Sequence, residues 1–157
     1  MILLTRVCWN CDSVDSMFSK ECDYEITVRD KTYIIHGKKS TCMKCGASDI
    51  DELYDLMIKE ARNLYMKEMG ILFPEEIKSI RKKNGLTQEE FAKVLGFSNT
   101  GCFSSIESGL TQTNYIDEMI RKCFNTSSAL EILESNKTKI SDDEYKAIKD
   151  KIISSNY

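Results

Sequence analysis

Hydrophobic and polar residues follow different periods in the two parts of the chain. Up to about Ala47, apolar and polar positions alternate from Tyr24 to Val28, and β-forming residues dominate from Thr32 to Ile35. Alternation with a period of two is typical of strands with one buried face. Asp30 and Lys31 separate the two runs, so the pattern predicts a β-hairpin that turns at these residues.

Beyond Ser48 the apolar residues recur every three or four positions, which is the period of an amphipathic helix. The residues in this pattern are Ile50, Leu53, Leu56, Met57, Ala61, Leu64, Tyr65 and Met69. Gly70 follows as a helix stop. The pattern predicts a helix of roughly five turns that connects the first region to a second one.

A helical region begins at Pro74, because proline is tolerated in the first turn of a helix and the carboxylates of Glu75 and Glu76 favour its positive end. Four predicted helices span 75–83, 88–95, 100–108 and 114–124. A carboxyl-terminal region divides at 136–139 into helices over 127–135 and 142–153.

Short motifs fix several of these helix ends. Two pairs have the spacing of capping boxes, and three glycines stand where left-handed residues end helices. The pairs are Thr87 with Glu90 and Ser141 with Glu144. The glycines are Gly85, Gly96 and Gly109.

Composition excludes several classes of protein. The 157 residues include 22 Lys and Arg against 25 Asp and Glu, with 41% hydrophobic and 30% charged residues. These values exclude a large multidomain enzyme and argue against disorder throughout. No window approaches 18 uninterrupted apolar residues, and the opening run Met1 to Leu4 is too short for a signal peptide. We expect a cytoplasmic protein without a membrane segment.

The cysteine pattern changes this picture most. Seven cysteines without an export signal favour metal binding or reduced thiols over a disulfide scaffold. Four of them form two CxxC pairs, Cys8 with Cys11 and Cys42 with Cys45, and the thirty intervening residues accommodate a hairpin that returns both pairs to one place. Two such knuckles predict a structural Zn²⁺ site with four thiolate ligands. Because about 47 residues bury little core, the metal should supply on the order of 10 kcal/mol of folding free energy.

Other interpretations of these thiols remain. An iron site, a redox-active CxxC and incidental core thiols are the alternatives, although neither pair opens a helix after a strand as a redox pair would. Cys22, Cys102 and Cys123 have no partner spacing and are typical of small buried residues. His36, the single histidine, is expected at the surface near a strand end.

The stretch from Gly85 to Gly96 combines a capped helix, the small Ala92 and a glycine turn, and a second helix follows from Phe103 to Gly109. Together they resemble the Xre or Cro-type helix-turn-helix, whose second helix enters the major groove of DNA. The alternative is a helical packing domain that binds no DNA.

Candidate DNA contacts are few and mostly uncharged. They are Lys83, Gln88, Lys93, Asn99, Thr100, Ser104 and Ser105. No basic residue occurs between Lys93 and Arg121, although cations on phosphates dominate DNA affinity. The basic run from Lys78 to Lys83 either lies along phosphates or is the solvated face of a helix.

Two CxxC pairs, a connecting helix and an Xre-type helix-turn-helix, in this order, resemble the MqsA or YgiT-type antitoxins of bacterial toxin-antitoxin systems. The resemblance runs from residue 8 to about 125. It implies that the cysteine domain binds a toxin, that Cys8, Cys11, Cys42 and Cys45 hold structural zinc, and that a dimer binds a palindromic operator. The family's base-contacting asparagine and arginine fall on Gly101 and Ser105, so we expect altered or lost operator recognition.

The predicted class is therefore α+β, a small zinc-bound β-hairpin domain followed by an all-α helix-turn-helix domain. The predicted segments are a zinc-finger domain at 1–48, a connecting helix and linker at 49–73, a helix-turn-helix domain at 74–126 and a helical extension at 127–157. Apolar residues after Gly109 exceed what a small domain buries and predict a homodimer interface, with core filling as the alternative. The interface residues are Tyr115, Met119, Ile120 and Phe124.

The predicted function is an antitoxin-like transcription regulator that neutralises a toxin or another partner protein and represses from operator DNA. The alternative is a protein-binding inhibitor or adaptor of bacterial or phage origin, whose helix-turn-helix serves mainly as a dimerisation scaffold with little sequence-specific DNA binding. Catalysis is not expected, because four thiolates leave zinc no open position for water and no nucleophile stands beside a base.

Overall fold

A long antiparallel hairpin forms the centre of the amino-terminal unit. The computed structural model describes residues 2–4, 6–50 and 54–156, and the chain divides into two compact units, Met1–Glu68 and Met69–Tyr157. The sheet has the order β1-β2-β3-β4, and its strands are β1 (Ile2–Leu4), β2 (Met17–Val28), β3 (Lys31–Cys42) and β4 (Ser48–Ile50). The predicted hairpin is confirmed, and its strands extend well beyond the alternating runs.

The hairpin turn lies one residue earlier than predicted. Val28 pairs with Lys31, so the turn consists of Arg29 and Asp30. Arg29 has a φ of 56°, in the left-handed region. Two-residue hairpin loops need such a residue because its twist matches that of the flanking strands.

Helix α1 (Tyr54–Met69) packs on this hairpin. Met57, Ala61, Tyr65 and Met66 form its buried side. The hairpin has a glycine, Gly37, where a side chain would collide with the thioether of Met57 and the ring of Tyr24. The helix ends at Gly70 as predicted, with a φ of 64°.

Helix α1 begins later than the apolar periodicity predicts. Ile50 belongs to β4, which pairs with the end of β3, so the helix does not include it. Leu53, which the pattern places in the helix, lies outside the described residues. Apolar spacing did not distinguish a short edge strand from the first turn of a helix.

The second unit is helical. Its elements are α2 (Pro74–Lys83), α3 (Gln88–Val94), α4 (Thr100–Glu107), α5 (Asn114–Lys122), α6 (Thr126–Ser135), a 3₁₀ turn (Lys137–Lys139) and α7 (Asp142–Ser154). These bounds differ from the predicted ones by at most two residues. The α+β class is therefore confirmed, with a β-hairpin that carries the cysteines followed by a helical region.

Local signals account for this agreement. The Thr87 hydroxyl accepts from the amide of Glu90, and Ser141 does the same for Glu144, so both capping boxes are present. Gly85, Gly96 and Gly109 all have positive φ. Each helix end is thus set by residues within one turn of it.

One apolar core joins all six helices. Phe91 of α3 and Phe103 of α4 are fully buried and meet edge to face, with ring centroids 5.2 Å apart. Ile148 and Ile152 of α7 belong to the same core. The carboxyl-terminal helix is therefore an integral part of this unit. Among the described residues, no helix has the length and apolar character needed to cross a membrane.

Candidate metal centre and nucleic-acid interface

The two CxxC segments adopt the same backbone turn. The amide of Asp12 donates to the carbonyl of Cys8, and the amide of Gly46 donates to that of Cys42, both at 2.9 Å. Asp12 and Gly46 both have positive φ, at 53° and 71°. Each turn also closes one residue later, where the first cysteine's amide donates to the carbonyl of Ser13 or Ala47. The repeated geometry points the sulfurs of both knuckles toward a common centre.

The four sulfurs are spaced as a metal requires. All four Sγ atoms lie within 4.8 Å of one another. The Sγ atoms of Cys8 and Cys45 are 3.7 Å apart, as are those of Cys11 and Cys42. A tetrahedron with metal–sulfur bonds of about 2.3 Å has edges of about 3.8 Å, whereas a disulfide bond is about 2.05 Å long. The residues present therefore fit one tetrahedral ion.

Hydrogen bonds favour the thiolate form of two of these cysteines. The Ser16 hydroxyl, followed by the backbone amide of Cys45, lowers the pKa of Cys42 to about 5. The side-chain amide of Asn10 lowers the pKa of Cys45. Because the thiolate is the metal ligand, Cys42 is prepared to coordinate at neutral pH, and the hydrogen bond from Asn10 makes Cys45 easier to ionise.

The remaining candidate ligands lie elsewhere. Cys123 is buried in the helical core, where desolvation raises the pKa of its thiol to about 12. Cys102 is exposed on α4, and His36 is exposed on β3, where it bonds Asp23 across the hairpin. In the part of the chain that the structure describes, the four knuckle cysteines form the single cluster of three or more such ligands.

Helices α3 and α4 form the helix-turn-helix. Ala92 is fully buried, and its carbonyl accepts from the amide of Phe97 in the turn. Gly96, with a φ of 79°, reverses the chain. Asn99 then caps α4 by accepting from the amide of Gly101 at 2.8 Å.

The uncharged candidates for DNA contacts lie on or beside α4. Thr100 and Ser104 line a surface pocket of about 580 Å³ together with Gln88 from the start of α3. Ser105 is exposed, and its hydroxyl donates to the carbonyl of Gly101. Asn99 is occupied as the cap. This surface therefore offers hydroxyl and amide groups, and the cation in the lining of the pocket, Arg81, is paired with Glu107.

The cationic candidates are largely engaged within the protein. Lys93 contacts the carboxylates of Glu89 and Glu144 at 2.8 and 2.7 Å. Lys83 donates to the carbonyl of Phe124 and lies 3.6 Å from the centre of its ring. Neither ammonium group points freely into solvent from the helix-turn-helix.

Arg81 has a structural role that the sequence interpretation missed. Its guanidinium contacts both carboxylate oxygens of Glu107, at 2.7 and 3.1 Å, and donates to the carbonyl of Leu86. Gln88 also donates to Glu107. Arg81 lies four residues after Ile77 on the apolar stripe of α2, and that spacing is a signal for an inward-facing side chain. The basic run is therefore interrupted by a residue that joins α2 to α4.

The predicted dimer residues divide into two groups. Tyr115 and Phe124 are 69% and 61% exposed. Ile120 is fully buried in the core of its own unit, and Met119 packs partly against that core. Core filling therefore accounts for Ile120. Phe124 also lines a surface groove of about 610 Å³ with Leu72 and Ile80.

Comparison with known proteins finds a match in the helix-turn-helix segment of the second unit. Residues 77–115, from α2 into the start of α5, match the family model described as Helix-turn-helix. This match confirms the predicted helix-turn-helix and indicates a DNA-binding transcription regulator. No curated protein matches the chain, and no solved structure matches it.

Proposed function

We propose that this protein is an antitoxin-like transcription regulator, in which the helix-turn-helix binds operator DNA and the cysteine unit holds Zn²⁺ and captures a partner protein. The observation that carries this proposal is the α3–α4 pair within the matched segment, because a helix in this arrangement is shaped to enter the major groove.

The proposed DNA surface is α4 with the start of α3. The hydroxyls of Thr100, Ser104 and Ser105 and the amide of Gln88 are groups that bond base edges or phosphates. Arg81 and Lys93 are neutralised by carboxylates, so few cations remain for phosphates. We therefore expect modest affinity with a shallow dependence on salt.

The proposed metal is zinc. Four thiolates at tetrahedral spacing match a closed structural zinc site, and all four positions around the ion would be filled by protein. When bound, zinc would link the two knuckles and the strands that follow them. Its role is then to stabilise the surface that the unit presents.

That surface supports a protein partner. Four apolar side chains flank the cysteines and are more than half exposed: Val7, Trp9, Val14 and Met43. Trp9 is the most exposed of them, at 65%. Trp and Met are enriched at protein interfaces, and a buried Trp is a frequent hot spot. We propose that a toxin or another protein covers these residues.

Tyr115 and Phe124 support the proposal of a homodimer. Both are aromatic, strongly exposed and located on or just after α5. Binding of a palindromic operator requires a two-fold arrangement of two helix-turn-helix units.

The second candidate function is that of an adaptor whose helix-turn-helix is a scaffold. The neutral surface of α4 and the internal ion pairs of Arg81 and Lys93 favour this alternative. It requires the same metal and protein-binding surface but no operator preference.

DNA binding separates the two candidates. Full-length protein is titrated by fluorescence anisotropy into a duplex from its own promoter and a scrambled duplex, at two salt concentrations. The regulator should prefer the promoter by about 1,000-fold or more, and Ser104→Ala should weaken that binding roughly fivefold through one lost hydrogen bond. Ser127→Ala on exposed α6 is the matched control and should bind as wild type. Equal binding to both duplexes would contradict the regulator and support the adaptor.

A further inference from the structure

The short segment before β2 contacts both cysteine knuckles. The carbonyl of Ser13 accepts from the amide of Cys8 at 3.0 Å, and the carbonyl of Ser16 accepts from the amide of Met43 at 2.8 Å. The same two serines therefore join the backbone of the first knuckle to that of the second.

Their side chains face the sulfurs. The Oγ atom of Ser13 lies 2.9 Å from the Sγ atom of Cys11, and that of Ser16 lies 3.3 Å from the Sγ atom of Cys42. The two hydroxyl oxygens are 2.5 Å apart. Both serines are buried, with exposed fractions of 8% and 3%.

The number of available protons limits which atoms these two hydroxyls can donate to. Each hydroxyl has one proton to donate, and a buried donor needs an acceptor. The Ser16 hydroxyl also lies 3.2 Å from the Ser13 carbonyl, which accepts from the amide of Cys8 as well. That carbonyl is neutral and is therefore a weaker acceptor than a thiolate. Thiolates are charged and attract the proton more strongly than a neutral hydroxyl oxygen does. The contact between the two oxygens uses one proton, so one proton remains for a sulfur: either Ser16 donates to Cys42 or Ser13 donates to Cys11.

The other two sulfurs have different surroundings. The Sγ atom of Cys45 has the side-chain amide of Asn10 at 3.6 Å and is exposed. Cys8 is buried and lies next to Cys45. Among the described residues, side-chain hydroxyls contact the sulfurs only at Cys11 and Cys42.

We infer that Ser13 and Ser16 form a hydroxyl pair that tunes the metal centre by donating a hydrogen bond to the thiolate of Cys11 or of Cys42. This inference rests on the proposed four-thiolate metal site. A thiolate that accepts hydrogen bonds donates less electron density to its metal and is less reactive toward acids and competing ligands. Ser13 and Ser16 are thus positioning residues that slow the loss of the ion.

The test compares wild type with Ser13→Ala/Ser16→Ala and with Ser19→Ala. Ser19 is the matched control, because it is buried on β2 and its hydroxyl has no hydrogen-bond partner among the described residues. Full-length protein is loaded with zinc, and transfer of the ion to a chromogenic chelator is followed with time. A second sample is loaded with Co²⁺, whose sulfur-to-metal charge-transfer band reports the electron donation of the thiolates.

We expect the double variant to lose zinc about tenfold faster, in the range found for outer-shell substitutions. Its charge-transfer band should move to lower energy because the sulfurs become stronger donors. Ser19→Ala should match wild type. The single variant Ser16→Thr, which keeps the hydroxyl, should release zinc almost as slowly as wild type. A purely structural role would leave the position of the band unchanged.

The contrary results are distinct. A double variant that binds one Co²⁺ with wild-type band position and release rate would overturn the role of the serines. If the double variant does not fold, the single variants Ser13→Ala and Ser16→Ala decide with the same readouts, since each keeps one hydroxyl. Failure of wild type to bind Co²⁺ tetrahedrally would instead overturn the proposed metal site.

Discussion

The helical unit and the knuckle region of the first unit are stabilised by different means. The helical unit buries a continuous apolar core that contains Phe91, Phe103 and Ile120. Around the knuckles the buried cluster consists of Cys8, Met17 and Cys42, with Ala47 packed against it. Apolar burial of this size cannot offset the conformational entropy of two knuckles and their loops. A bound metal would therefore replace a core around the knuckles, whereas the rest of the first unit has buried apolar residues of its own, among them Ile26, Ile35 and Met57.

Removal of the metal should have the largest effect and should be confined to the first unit. Chelation, or Cys42→Ser, eliminates a binding free energy on the order of 10 kcal/mol. We expect amides of the knuckles and of the adjoining strand ends, near Met17 and Cys42, to lose protection from hydrogen exchange, whereas α2 to α7 remain protected. Cys22→Ser, a cysteine on β2 outside the cluster, is the control and should keep full protection. Full protection of the knuckles without metal would show that they fold without an ion.

The converse variant removes core from the second unit. Phe103→Ala creates a cavity in a fully buried site and should lower the free energy of unfolding by about 4 kcal/mol. Urea denaturation followed by circular dichroism measures this loss, and Phe124→Ala, at an exposed ring, should change it by less than about 1 kcal/mol. Zinc content should stay at wild-type level in both variants. Loss of zinc from folded Phe103→Ala would show that the two means of stabilisation are not separate.

An ion pair is the polar counterpart of that core. Arg81→Met leaves the carboxylate of Glu107 nearly buried, with Gln88 as its remaining side-chain partner. We expect a loss of about 3 kcal/mol, because an uncompensated buried charge is costly. Lys82→Met on the exposed side of α2 is the control and should have almost no effect. Addition of Glu107→Leu to Arg81→Met should restore most of the stability, and an unimproved double variant would show that the charge is not the cause.

The sequence predicts the helical unit well because its signals are local. The capping box of Thr87 and Glu90 and the glycine after α3 both act within one helical turn. The cysteine spacing likewise predicts the thiolate cluster, since a knuckle is a local turn. Strands β1 and β4 were not predicted, because three residues have no measurable period and form strands only through distant partners.

Long-range pairing also decided which candidate site residues are available. Arg81 was placed in a basic run, but its partner Glu107 is 26 positions away. The pairing of Lys93 with Glu144 spans 51 positions. Ion pairs at such separations depend on how helices pack, which residue spacing does not specify. The sequence shows how many cations this region has, but it did not predict that Arg81 and Lys93 pair with carboxylates.

The smallest predicted effect concerns Lys93 and tests whether the helical unit limits its own DNA affinity. The Lys93 ammonium, together with the Ser141 hydroxyl, lowers the pKa of Glu144, so the carboxylate is charged at neutral pH and is neutralised only as the pH falls through that lowered value. Glu144→Gln removes one of the two carboxylates that Lys93 contacts, leaving Glu89, and should make the ammonium group more available to phosphate. An exposed pair contributes about 0.5 kcal/mol, so promoter DNA should bind roughly twofold more tightly at neutral pH, with a slightly steeper dependence on salt.

Asp143→Asn is the matched control for this variant, because it removes the same charge from the same helix end. Among the described residues, the Asp143 carboxylate has no hydrogen bond or ion pair, so its loss changes net charge without releasing Lys93. If both variants bind DNA equally, the gain is a general effect of charge and the pair is irrelevant to affinity. A gain in DNA affinity confined to Glu144→Gln would mean that α7 weakens DNA binding through its contact with Lys93. Unchanged zinc transfer in the same variant would show that the cysteine knuckles are unaffected.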